Sequence, residues 1–175
     1  MSRITNKKFY LPDPDAVVKS DEEYMRLAID AARECHPDEV PVGAVVVRAG
    51  EIIAVAANTR ESQCDPCGHA EINALRLAAQ RLGGWNLHHC TLFVTLEPCA
   101  MCAGACVNSR IERIVYGACD PKAGGCGGKV DITKQLCHKV EVTGGILGEE
   151  AAFILKEFFQ KKRKKNKKII DNQNI

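Results

Sequence analysis

No stretch of this chain approaches the roughly 20 consecutive apolar residues needed to span a bilayer, so no membrane helix is expected. The first ten residues, Met1 to Tyr10, lack the apolar stretch and small-residue cleavage site of a secretory leader, which points to a cytoplasmic location. No internal repeat is visible, which excludes solenoid and propeller architectures. Ten cysteines would make a disulfide scaffold in a short secreted protein; without a leader they read as metal ligands or free buried thiols. The chain also lacks acidic side chains where its basic ones are densest. Residues 161–168 carry seven cations (Lys161, Lys162, Arg163, Lys164, Lys165, Lys167 and Lys168), which leaves 17 of the 24 basic residues before them against 21 of the 22 acidic ones. A mildly acidic body therefore ends in a strongly basic tail. Such a tail suits a phosphate backbone, or else is a solvated helix end that aids solubility.

What is present suits one domain: 175 residues, 46% of them hydrophobic. Residues 1–19, with Pro12 and Pro14, read as an N-terminal arm. Ser20-Asp21-Glu22-Glu23 has the form of a capping box, and Tyr24, Leu27, Ala28, Ala31 and Ala32 follow at helical spacing to about Glu34. Val42–Arg48 and Ile52–Ala57 read as a hairpin about Ala49-Gly50. Residues 58–68 form a loop into a helix from Ala70, stopped by Gly83-Gly84. Cys90–Leu96 is a strand apolar on both faces. A second helix runs to about Ser109, a strand covers Ile111–Tyr116, and residues 117–130 form a glycine-rich loop. A brief strand, Val140–Thr143, precedes a last helix from Gly148 into the basic tail at 161–175. Strands alternating with helices give an α/β fold with helices on both faces of a mixed sheet over residues 20–160.

Two motifs carry chemistry: His69-Ala70-Glu71 and Pro98-Cys99-Ala100-Met101-Cys102. A His with a Glu two residues on, followed later by Pro-Cys-x-x-Cys, is the signature of zinc deaminases acting on nucleobases. Catalytic zinc takes three nitrogen or sulfur ligands and keeps a fourth position for water. His69, Cys99 and Cys102 supply three, and the metal would lower the pKa of that water towards neutrality. Glu71 is the residue type to move protons. Residues two apart on a helix point about 200° apart, so His69 and Glu71 can share a site only at a helix entrance. Pro98 favours a first helical position, which places Cys99 and Cys102 on one face of a first turn. The dipole at both helix starts then favours thiolate over thiol. The plainer reading, a core histidine with small buried thiols, leaves Glu71 without purpose in an apolar run.

The residues Pro41 to Val45, Asn58, His69-Ala70-Glu71, Thr95 to Ala105, Ser109-Arg110-Ile111, Tyr116-Gly117-Ala118, Asp120-Pro121-Lys122, Gly145-Ile146-Leu147 and Phe158-Phe159 together resemble the bacterial tRNA-specific adenosine deaminases of the cytidine deaminase superfamily. The resemblance covers about residues 20–163. It implies a three-layer α/β/α fold with a five-stranded mixed sheet, a homodimer, one zinc ion per subunit, and conversion of adenosine to inosine at the wobble position of an anticodon, with arginine tRNA the usual substrate. It implies that His69, Cys99 and Cys102 bind zinc, that Glu71 transfers protons and that Asn58 hydrogen-bonds the base. It further implies that the loop of Asp120 and Lys122 meets the anticodon and that the helix of Phe158 and Phe159 approaches it. From the residues alone, Asn58 also fits an Asx turn, Asp120 a turn before Pro121 and Lys122 a solvated lysine. Adjacent on a helix, Phe158 and Phe159 cannot share a face, so at least one is expected on the core.

The chain departs from the pattern at Cys67-Gly68, where the family usually has Thr-Ala. Cys64 and Cys67 make a second C-x-x-C that could join Cys99 and Cys102 in a closed structural site, but such a site would leave no position for water. Cys106, Cys119, Cys126 and Cys137 read as free thiols, and His88 and His89 as surface turn residues. Two other functions share the metal residues: deamination of a free nucleobase or nucleoside, guanine or cytosine, and a non-catalytic zinc module that binds RNA.

Overall fold

The structure is a computed structural model, and it describes residues 17–135 and 138–173. Five strands make one mixed sheet in the order β2-β1-β3-β4-β5. The strands are β1 (Gly43–Arg48), β2 (Glu51–Ala57), β3 (Cys90–Leu96), β4 (Arg113–Ala118) and β5 (Glu141–Gly144). β1 runs antiparallel to β2 and β3, whereas β3, β4 and β5 are parallel. The hairpin turn puts Ala49 and Gly50 both at positive φ, as the twist of a two-residue connection demands.

Helices α1 (Asp21–Arg33), α2 (Ala70–Leu82), α3 (Ala100–Asn108) and α4 (Gly148–Gln173) complete the fold. The central strands β1, β3 and β4 are buried at successive positions because both faces are covered. Val45, Val47, Phe93 and Val115 pack with Tyr24, Met25, Ala28 and Ile29 of α1. Ala44, Val46, Leu92, Val94 and Ile114 face the other way, onto Ala74 and Ala78 of α2 and Ala103 and Cys106 of α3. α4 shares the face of α1: Ile154 packs against that first cluster, and Arg33 meets Glu150 at 2.9 Å. The three layers and five-stranded mixed sheet are those expected. Among the described residues no helix is long and apolar enough to cross a membrane.

α1 begins at the expected capping box, with Ser20 accepting from the Glu23 N–H and Glu23 reaching back to the Ser20 N–H. α2 ends at Gly83, left-handed at φ 71°, as a helix stop requires. β4 starts two residues later than expected. Arg110 turns the chain at φ 64°, and the Ile111 N–H still bonds back to the Cys106 carbonyl. Ile111 is therefore a buried anchor at the end of α3 and the ladder begins at Arg113. The basic run is helical, a continuation of α4. The expectations for residues 1–16 and for Cys137 lie outside the described residues.

Candidate active site

α2 and α3 start side by side on one face of the sheet. Their N-cap residues are His69 and Cys99, both with extended backbone and neither making a side-chain cap bond. Pro98 thus precedes the cap of α3, two positions earlier than expected, and Cys99 caps the helix without entering it. N-caps are ordinarily Ser, Thr, Asp or Asn, whose oxygens turn back onto the helix. Here the two side chains turn towards each other. Cys99 and Cys102 occupy the N-cap and third positions, the spacing of a capping box, with thiols in place of the reciprocal hydrogen-bonding pair.

His69 Nδ1 lies 3.5 Å from Cys102 Sγ and 3.7 Å from Cys99 Sγ. A tetrahedral zinc bonded to nitrogen at about 2.0–2.1 Å and to sulfur at about 2.3 Å separates such ligands by about 3.6 Å. The three donor atoms all lie within 4.8 Å of one another, so the group fits a zinc ion with the fourth position open. Cys99 is held down to about 4, first by the hydrogen bond from Cys102 and then by His69. Cys102 is pushed up by that same bond and by its burial. The pair therefore presents one ready thiolate beside one thiol, on a histidine raised by Cys99. Cys64 and Cys67 take no part in this donor group, so the closed four-cysteine arrangement does not form. Among the described residues one further donor group occurs, His88, His89 and Glu112, all exposed, with His89 and Glu112 at 3.1 Å.

A cavity of about 210 Å³ opens over this group, lined by Val42, Asn58, His69, Glu71, Cys99 and Asp120 among others. Pockets that enclose drug-sized ligands start at roughly 300 Å³, so this one suits a single planar base. Glu71, the second residue of α2, is 4% exposed and stands outside the donor group. Burial pushes its carboxyl up, towards the range where a carboxylate both takes and returns a proton. Asn58 is not an Asx turn. Its Nδ2 donates to Glu39 Oε2 at 3.0 Å, and Glu39, 1% exposed, also accepts from the Ser62 N–H and hydroxyl. This fixes the amide and leaves Oδ1 and the second N–H available.

The other expected substrate residues are less central. Asp120 lines the cavity, yet its Oδ1 already accepts from the N–H groups of Lys122 and Ala123, the turn read as its alternative. Lys122 is exposed and outside the lining. Phe158 and Phe159 also lie outside it. Neither joins either core cluster: the rings meet edge to face at 5.3 Å, Lys162 sits over Phe158, and Phe159 is 44% exposed. The expectation that one of the two packs on the core is not met, because α4 leaves the sheet by this point. Glu39 and Glu97 are the residues that sequence reasoning passed over. Glu39 stands between Asp38 and Val40, and Glu97 between Leu96 and Pro98; an acid is rarely buried unless paired, so neither local context announces its burial.

Residues 18–118 match the family described as the cytidine and deoxycytidylate deaminase zinc-binding region. Together with the mixed sheet and the His/Cys/Cys group, this defines a zinc-dependent deaminase. The chain is 47% identical over 150 residues to the tRNA-specific adenosine deaminase of Bacillus subtilis (strain 168), covering 84% of this chain and 93% of that protein. The enzyme of the same name from Haemophilus influenzae is 45% identical over 151 residues, 84% and 87% of the two chains. The chain belongs to the family of bacterial tRNA-specific adenosine deaminases. A solved structure from a study of A-to-I editing by tRNA:A34 deaminases at the wobble position superposes with a TM-score of 0.73 at 41% identity, over 75% of this chain and 98% of that one. Guanine deaminase from Nitrosomonas europaea superposes at 0.71 with 25% identity, over 83% and 87%.

Proposed function

We propose that this protein hydrolyses the exocyclic amine of adenosine at the wobble position of a tRNA anticodon, giving inosine and ammonia. The observation that carries the chemistry is a buried carboxylate, Glu71, outside a zinc-spaced His/Cys/Cys group in a base-sized cavity. The identity to tRNA-specific enzymes over most of both chains supports the substrate. In this reading His69 Nδ1, Cys99 Sγ and Cys102 Sγ hold one zinc per subunit. When bound, zinc acidifies a coordinated water to near neutrality and so supplies hydroxide. Glu71 would accept a proton from the attacking water and deliver it to the ring nitrogen beside C6 as oxygen adds to C6. It then passes a proton to the departing amine as the C6–N bond breaks. Acid–base help of this kind is worth roughly 10² to 10⁴ in rate.

Asn58, its amide fixed by Glu39, reads the base edge as donor and acceptor at once. The target base leaves its stack, which a single-stranded anticodon loop makes inexpensive. Asp120 and Lys122 meet the loop beside that base, and Phe158, half-buried, and Phe159, exposed, offer faces on α4 for neighbouring nucleotides. The division into an arm (1–19), a deaminase domain (20–160) and a basic tail (161–175) belongs to the same reading. So do arginine tRNA as substrate, a homodimer and a cytoplasmic location. Deamination of a free base is the second reading, favoured by the shared fold of guanine deaminase.

The test is to incubate zinc-loaded protein with total tRNA and sequence for wobble inosine, with free adenosine, guanine and cytosine alongside. Inosine at one anticodon is the expected result. Ammonia from a free base alone would overturn the tRNA reading and keep the metal chemistry.

A further inference from the structure

The glycine-rich loop after β4 has no helix or strand of its own, yet it carries Asp120 and forms one wall of the cavity. It is held by one buried side chain. Glu97, the last residue before Pro98 and Cys99, is 2% exposed. Its Oε1 accepts from the N–H groups of Gly128 at 2.7 Å and Cys126 at 3.1 Å. Its Oε2 accepts from the Asp120 N–H at 2.9 Å and the Cys119 thiol at 3.2 Å. Four donors converge on one carboxylate, a nest for an anion built from the chain itself, and this compensates the cost of burying the charge.

The glycines follow from the same arrangement. A methyl group added at Gly124 or Gly128 would overlap the Glu97 carboxylate, and one at Gly125 would crowd the backbone of Cys99 and Ala100. The loop also bonds directly to the start of α3, through the Gly125 N–H to the Pro98 carbonyl at 2.7 Å and a bridge between Cys99 and Gly124. The loop is therefore packed on the residues that lead into Cys99, with Asp120 brought to the rim.

We propose that Glu97 is a positioning residue: by clamping the loop of Asp120 and Lys122 onto the start of α3, it sets the affinity of this site for the anticodon loop without taking part in the chemistry. The proposal rests on the tRNA reading above. Glutamine at this position keeps the shape but turns an NH₂ group towards one pair of donors. Two of the four bonds are replaced by a donor facing donors, and a buried donor left without its acceptor is costly.

The experiment compares the wild type with Glu97→Gln, each verified for one zinc per chain, on an anticodon stem-loop, with amide hydrogen exchange measured on both. The expected result is faster exchange at Asp120, Cys126 and Gly128, unchanged exchange in α2, and a KM raised about tenfold or more with kcat held within about threefold. Faster loop exchange with an unchanged KM overturns the proposal, and so does a fall in kcat alone. Should Glu97→Gln lose zinc or fail to fold, Gly128→Ala decides by the same KM criterion, since its methyl overlaps the Glu97 carboxylate and the Asp120 carbonyl and so parts the loop from the clamp with the carboxylate itself retained. A wild type that makes no inosine sinks the tRNA reading. The exchange measurement then still shows whether Glu97 holds the loop: unchanged exchange in the variant overturns the clamp by itself.

Discussion

A carboxylate at 4% exposure is costly to keep charged unless its surroundings or its chemistry require it there, and Glu71 lies against Cys99 and His69 without joining their donor set. Replacing it by glutamine keeps the volume and removes the proton carrier. Glu71→Gln is expected to retain one zinc per chain and tRNA binding within a few-fold of wild type, and to lower kcat by about 10³ or more. Metal analysis, a filter-binding assay and single-turnover kinetics check the three parts. Residual turnover near the wild-type level would return the residue to an ordinary helix-start acid.

Glu39 acts on Asn58 as a fixed acceptor. Burial raises its carboxyl, but the bonds from the Ser62 N–H and hydroxyl outweigh this and leave it below the usual carboxylate range. A depressed folded value means that its contribution to stability is complete above the unfolded value of about 4.3 and is lost as pH falls through the folded one. The difference in unfolding free energy between wild type and Glu39→Gln, followed by urea titration, is therefore expected to be constant from pH 8 to 5 and to shrink only in stronger acid. The variant also frees the Asn58 amide to flip and should raise KM. The metal residues and Glu71 were legible in the sequence because two short motifs hold them at fixed spacing. Glu39 and Glu97 were not, because their partners Asn58, Ser62, Asp120 and Gly128 lie 19 to 31 residues away.

At the scale of elements, the site is a joint between two helix ends, and the His/Cys/Cys donor group draws on both. Removing the metal with a chelator is expected to lower the midpoint of thermal unfolding and to speed amide exchange in the first turns of α2 and α3 while α1 stays protected, because binding free energy is coupled to the folded state. A uniform change across the molecule would argue against a local joint. The other side of the sheet depends on a close approach. A methyl at Gly43 would overlap the Ala28 carbonyl in α1, so Gly43→Ala must push the helix off β1. A loss of about 1–3 kcal/mol is expected by denaturant unfolding. The elements themselves were readable from period and caps: the capping box at Ser20, the glycine stop at Gly83 and the doubly apolar β3 all stand as read. The onset of β4 was not, because the turn at Arg110 uses a left-handed backbone that its residue type does not announce.

For the molecule as a whole, alternation of strands and helices sufficed for the class, but not for the course of the last helix. α4 is 26 residues long, about 39 Å at 1.5 Å per residue. Ala151 is buried and Ile154 and Leu155 half-buried, whereas residues 159–165 are exposed. Lys161 and Lys165, and Arg163 and Lys167, stand four apart in the helix, where like charges cost about 0.2–0.5 kcal/mol per pair. A polyanion along the helix would relieve that repulsion and release the counterions held on its own phosphates. Removing residues 161–175 is therefore expected to leave kcat on an anticodon stem-loop near the wild-type value and to weaken binding of full-length tRNA. It should also reduce the slope of log K against log salt by about 0.7–0.9 for each phosphate that is no longer neutralised. Titrations at several salt concentrations, with and without the segment, give that slope directly. Parallel lines would make the basic extension a solubility device and confine tRNA binding to the cavity rim and the body of α4.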